Sequence, residues 1–201
     1  MATATPIADY YPSAAVLGAF SEVCQTNGKF ENLTLTAQKY GWATFTPNKN
    51  SALARSILMI GAPLAGGGPD PEAVATLRKD VAGRHLELLL VHYGTIPNDP
   101  EFAGGFACHV IDYDATRPLD SAAIRKWAGR TPLKAKSPPP NDNQSKVKIV
   151  WPIEQYWKPG ILAKSTRTNI SFVPRSSFLD VLGGSGGIHV LSVWNEIKGN
   201  K

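Results

Sequence analysis

The sequence predicts an α+β fold: a mostly antiparallel sheet with N-terminal helices packed on it and one long flexible loop. Three observations predict it. Apolar residues recur at helical spacing through the first part of the chain. After Ser145 the runs are strand-like only, and no regular βαβ alternation links the two parts. The 201 residues fit one domain, 1–201, large enough to bury a core without metal or disulfide. A 43% hydrophobic content excludes a wholly disordered chain, and two cysteines exclude a disulfide-dense miniprotein.

The elements follow in order. Ser13 is placed to cap a helix whose apolar positions are Val16, Leu17, Phe20, Val23 and Cys24, with Asn27-Gly28 stopping it. A second helix runs from Leu33 to Lys39, and Trp42 to Thr46 alternates as a short strand. Leu53 to Ile60 is apolar throughout, so its period does not separate helix from buried strand. Asp70-Pro71-Glu72 carries the start signals of a helix, which is expected to end near Gly83.

His85 to Tyr93 is a strand apolar on most of both faces, hence central in its sheet. Gly94 to Gly105 is a loop and Phe106 to Tyr113 the next strand. Asp120-Ser121 caps a short helix through Trp127, ending at Gly129. Residues 131–145 contain Pro138-Pro139-Pro140 and then only polar residues, a flexible Pro-rich loop within the domain. Val147 to Ile153, Leu162 to Val173 and Ile188 to Ile197 are the last three strands.

The net charge of +5 is uneven. Residues 1–100 hold 7 basic and 8 acidic side chains, and residues 101–201 hold 14 basic and 8 acidic. Between Arg117 and Lys148 lie Arg117, Arg125, Lys126, Arg130, Lys134, Lys136, Lys146 and Lys148, opposed only by Asp120 and Asp142. Such a patch attracts anions. No zinc-finger spacing, RNA-recognition aromatic motif or helix-turn-helix pattern accompanies it, so a specific nucleic acid is not an expected partner.

Few residues carry a catalytic pattern. Gly183-Gly184-Ser185-Gly186-Gly187 matches G-x-S-x-G, but a nucleophile elbow needs a helix after the serine, and Ile188 to Val193 reads as strand. A glycine-rich link between strands explains the run better. Gly66-Gly67-Gly68 lacks the Lys-Ser/Thr of a phosphate loop. The four histidines, His85, His92, His109 and His189, form no metal-ligand spacing, and neither metal nor cofactor is expected. His109 is the histidine to test first, on the strand face opposite Cys108 with Ala107, Ile111 and Tyr113.

Asp112 and Asp114 share a strand face near its end, where turn and capping roles outweigh acid–base work. Trp151 alternates with Ile149 and Ile153 and belongs to the core. Tyr156 and Trp157, next to Lys158, fall in a turn and are candidates for surface contacts, together with Arg130, Lys134 and Lys136 of the basic segment. Cys24 and Cys108 both lie on apolar faces. Two inert core thiols and one bridge closing a loop of roughly 85 residues fit the spacing equally.

Two segments together resemble a family. Phe20 to Cys24 followed by Ala37 to Gly41-Trp42 gives F-x-x-x-C and A-x-x-x-G-W. Phe106-Ala107-Cys108-His109-Val110 runs on through Asp112 to Leu119, a short helix and Pro132. About half the chain is covered, and the pattern resembles a group of small uncharacterised, typically exported proteins of Gram-negative bacteria with one cysteine in each segment. The resemblance implies an exported α+β domain with a Cys24–Cys108 bridge, and it implies no activity. The chain departs from the group in its first twenty residues, which carry no Lys or Arg and no continuous apolar stretch, and so do not form a signal peptide.

Together these features point to a non-enzymatic binding or interaction module of the cell envelope, periplasmic or secreted, with a protein or anionic ligand as partner and no integral membrane segment. A cytoplasmic location is the alternative. The alternative functions are an enzyme of unknown class, hydrolase-like through Ser185 or His109, and a polyanion or nucleic-acid binder through segment 117–148.

Overall fold

A computed structural model describes residues 11–24, 30–61, 71–95, 102–136, 153–158, 160–161, 166–174 and 187–198. The helices are α1 (Ser13–Cys24), α2 (Phe30–Lys39), α3 (Ala52–Gly61) and α4 (Ser121–Ala128). The strands are β1 (Ala43–Thr44), β2 (Pro71–Val81), β3 (Arg84–Tyr93), β4 (Phe102–Ala115), β5 (Lys134–Lys136), β6 (Ile153–Trp157), β7 (Arg167–Val173) and β8 (Gly187–Lys198). They form one antiparallel sheet in the order β1-β2-β3-β4-β8-β7-β6-β5. Each half of the chain thus contributes a four-strand meander, and the two meanders join where β8 pairs with β4.

Alternation along the strands divides the core in two. One face carries Leu77, Leu86, Leu88, Leu90, Phe106, Cys108, Val110, Ile170, Phe172, Leu191 and Val193. Val16, Leu17, Phe20, Val23 and Cys24 of α1, Leu33 and Ala37 of α2, and Ile124 and Ala128 of α4 belong to the same buried cluster. The five α1 positions are those that helical spacing selects from the sequence. The opposite face has a smaller cluster of Leu53, Leu89, Val91, Tyr93, Ala107, Ile111 and Ile188, with Ile57 of α3 against it. Leu53 to Ile60 is therefore helical, and Ser51 Oγ accepts from the Ala54 backbone N–H at its start.

Several expectations are corrected. Residues 71–81 are strand β2, not a helix. Their Ala-Val-Ala-Thr-Leu alternation matches a pleat, and the ten-position register with β3 outweighs the Asp-Pro-Glu start signal. Strand β4 starts at Phe102, inside the expected loop. Ser13 is the first residue of α1 rather than its cap, and its hydroxyl accepts from the Asp120 backbone N–H at 2.8 Å. Asp120 does cap α4, accepting from Ala123 N–H at 2.8 Å, and Gly129 closes that helix in the left-handed region.

Part of the stretch expected to be a flexible loop, 131–145, is ordered sheet: Lys134–Lys136 is β5, paired with β6. Residues 137–145 of that stretch, Gly66 to Gly68, Trp151 and Ser185 lie outside the described residues. No described helix is long and apolar enough to cross a membrane.

Candidate functional site

The face with the larger core holds a disulfide and one buried ion pair. Cys24, closing α1, and Cys108, in the middle of β4, are bonded at 1.95 Å with their Cα atoms 5.7 Å apart. Farther along β4, Asp112 is only 1% exposed. Its Oδ2 accepts from the Tyr11 hydroxyl at 2.7 Å and from Arg84 Nε at 2.8 Å, and its Oδ1 from Arg84 Nη2 at 2.8 Å and the Asp114 backbone N–H at 2.9 Å.

Burial works against the Asp112 charge, but the hydrogen bonds from Arg84, Tyr11 and Asp114 hold the carboxyl below its usual range. The same pairing raises the Arg84 guanidinium, and burial raises the Tyr11 phenol. Asp112 thus has a larger role than the turn and capping duties expected of it. The Asp114 contact is of the turn type, while the Arg84 pair is a buried structural bond. His189 sits beside this pair, edge-on to Tyr11 at 4.6 Å, and burial lowers it to about 4.

The opposite face is polar beyond the reach of α3. Strand register aligns His109, Ser192, Asn169, Tyr156 and Lys134 in one row across β4, β8, β7, β6 and β5. Directly opposed residues of antiparallel strands share a face, and four strand gaps span roughly 19 Å. His109 Nδ1 lies 2.8 Å from Ser192 Oγ. Burial, then the charge of Arg167, lowers His109 to about 4, so the imidazole is neutral at neutral pH. In the neighbouring row Arg167 faces Trp194, its guanidinium 4.2 Å from the indole centroid. Trp194 also stacks on Tyr93 at 5.3 Å and 14°.

Chemically, the His109–Ser192 pair is a weak basis for nucleophilic catalysis. A base lowered to about 4 gains little from taking a serine proton at neutral pH. Its other nitrogen, Nε2, has no hydrogen-bond partner, so no carboxylate orients the ring there.

The sheet edge gathers the sequence candidates. Leu133 N–H donates to the Tyr156 carbonyl at 2.7 Å, and Lys134 stands opposite Tyr156. Arg130 Nη2 donates to the Gly160 carbonyl at 2.9 Å. Arg130, Lys134 and Lys158 are exposed, and Leu133 is 62% exposed. Of Lys136 only the backbone is described.

Trp157 is not in a turn and not a surface residue. It ends β6, is 1% exposed, donates from Nε1 to the Arg130 carbonyl at 3.3 Å and meets the Trp127 ring edge-on. Tyr156, on the alternate face, is half-buried in the polar row. One residue of register separates their fates.

His109 lies on the face expected for it, with Ala107, Ile111 and Tyr113. Ser185 is outside the described residues, but β8 begins at Gly187, so strand stands where a nucleophile elbow needs its helix. No sequence motif singles out Arg84, Arg167, Asn169, Ser192 or Trp194. The alternating polar positions in Arg167-Thr168-Asn169-Ile170-Ser171 mark a polar strand face, but only register reveals what stands opposite. Among the described residues no cluster of three metal-ligating side chains occurs. No protein-family model, curated protein or solved structure gives a significant match to the chain.

Proposed function

We propose that the chain is a non-enzymatic binding or interaction module of the bacterial cell envelope, periplasmic or secreted, of the exported two-cysteine group it resembles. The observation that carries this reading is the β5–β6 edge. It brings Arg130, Lys134 and Lys158 together with the exposed Leu133 at the end of the sheet, although Lys158 is more than twenty residues away in sequence. Among the described residues β5 pairs only with β6 and is the last strand of the sheet, beside three cations. An edge strand of this kind offers backbone hydrogen bonds, and the cations favour an anionic partner.

The Cys24–Cys108 bridge supports an oxidising compartment. In this reading the N-terminal helices, packed on one face of the sheet, are scaffold, and the far face and the edge are working surfaces.

The test is retention on a cell-envelope fraction. The wild-type chain is expected to be retained at moderate salt, and the Arg130→Glu/Lys134→Glu/Lys158→Glu variant is not. Equal loss of both proteins overturns the edge assignment. Retention on heparin that collapses steeply with salt, with no envelope retention, replaces it with polyanion binding through segment 117–148.

A further inference from the structure

We propose that Arg167 and His109 form an enclosed site for a small carboxylate on the far face of the sheet. The inference deepens the binding-module reading and rests on it. Two buried nitrogens carry it: Arg167 Nε and His109 Nε2 are both enclosed and lack a hydrogen-bond partner. Both side chains lie against one indole, the Arg167 guanidinium 4.2 Å over the Trp194 centroid and the His109 ring edge-on at 5.9 Å.

A buried donor left unpaired is destabilising by about 1–3 kcal/mol, and an arriving acceptor removes that penalty. Arg167 Nε and His109 Nε2 are two of six such atoms among the described residues, and both belong to side chains lying against one indole, which marks a place for an acceptor.

The charge decides which acceptor. Among the described residues no carboxylate pairs with Arg167, whose guanidinium lies over Trp194. Its positive field reaches both His109 and Tyr93. A half-buried cation with no counter-charge among the described residues favours an anion, and a guanidinium matches a carboxylate in shape. An imidazole has two neutral tautomers. With the Ser192 hydroxyl donating to Nδ1, Nε2 carries the proton and becomes a second donor toward the ligand. A bound anion selects that tautomer. Trp194 already carries the Arg167 guanidinium over its ring and stacks on Tyr93, so the guanidinium rather than the indole offers itself to a ligand. The enclosure of both nitrogens favours a small ligand, and acetate is the smallest carboxylate with a methyl group to probe it.

The probe is sodium acetate, compared with sodium chloride and sodium phosphate at equal ionic strength, read by thermal melting and by tryptophan fluorescence. Acetate alone is expected to raise the melting temperature and change the emission. The Arg167→Lys variant keeps the charge but loses the Nε donor and the fork, and is expected to weaken acetate at least tenfold. The His109→Phe variant loses the second donor and weakens it severalfold.

An equal response to all three salts is screening and overturns the site. No acetate response in the wild type means that water alone fills the place, and this too overturns it. An undiminished response in Arg167→Lys removes Arg167 from it. Should His109→Phe fail to fold, Arg167→Lys decides alone. Envelope retention is measured on the same protein: retention without acetate response defeats only this site, and acetate response without retention defeats only the module reading.

Discussion

Asp112 stands directly opposite His189 across the β4–β8 pair, yet no hydrogen bond joins them. The carboxylate spends its four acceptor positions on Tyr11, Arg84 and the Asp114 N–H. His189 packs against the rings of Tyr11 and Phe172. A carboxylate and an imidazole in register suggest a catalytic pair, but here the arginine has taken the acid and the pair is structural.

The first prediction separates the partners of that carboxylate. Removing one member of a buried ion pair strands the other charge, at about 3–5 kcal/mol. Removing one neutral donor while Arg84 remains loses about 1 kcal/mol. Urea unfolding is expected to show Asp112→Ala far more destabilised than Tyr11→Phe. Equal losses would mean that the Arg84 pair contributes nothing net.

Acid lability follows from the two buried histidines. His109, by burial and then Arg167, and His189, by burial, are both lowered to about 4, against about 6.5 in an unfolded chain. As pH falls, the unfolded chain takes these protons first. The stability each neutral ring contributes is complete above about pH 6.5 and is lost between about 6.5 and 4, on the order of 3 kcal/mol apiece at most. Asp112 acts in the same direction at lower pH, because its folded carboxyl is also depressed. The urea midpoint is expected to fall steadily from about pH 7 to 4.5. His189→Phe, which keeps the aromatic packing, is expected to flatten part of that slope. A midpoint constant across this range would sink the assignment.

The cystine makes a third prediction. Both sulfurs are buried, and the bridge spans 84 positions, from the last residue of α1 to the middle of the sheet. In the chain-entropy account such a link is worth about 4.5 kcal/mol. The Cys24→Ala/Cys108→Ala variant is expected to lose about 2–5 kcal/mol. The denatured but unreduced wild type is expected to offer no alkylatable thiol by intact mass; two labelled thiols would contradict the bridge.

How far the sequence was legible depends on what each signal measures. The apolar faces of α1 and β3 are local and periodic, and both were readable residue by residue. Asp120 and Gly129 marked the ends of α4 for the same reason. Helix-start residues at 70–72 misled, because a cap signal says nothing of the partner strand that β2 finds in β3. Trp157 was misplaced because a turn was expected where β6 continues, which exchanges inside for outside. Of the polar row the sequence singles out only His109, Tyr156 and Lys134, for unrelated reasons. Their alignment depends on the β4–β8 junction, a pairing between the two halves of the chain that no local pattern announces.

The β2–β3 turn supplies the last prediction. Val81 pairs with Arg84, so the hairpin loop has two residues, Ala82 and Gly83. Both have positive φ, +48° and +80°. Two-residue hairpins favour that geometry because its twist matches the strands, and it suits Asn-Gly best. Ala82 is the only described non-glycine residue in this region of backbone space. An L-residue there is strained by about 1–2 kcal/mol, less for asparagine. Ala82→Asn and Ala82→Gly are therefore expected to stabilise the chain by up to about 1 kcal/mol. Ala82→Val, with a β-branched side chain in the same conformation, is expected to destabilise it. Gly83→Ala isolates the backbone effect, since nothing lies within 4 Å of the added methyl; a loss of about 1 kcal/mol is expected. Thermal melts of the four variants give the order Asn and Gly above wild type, Gly83→Ala and Ala82→Val below. A more stable Gly83→Ala would require a different turn, and with it a shifted β2–β3 register.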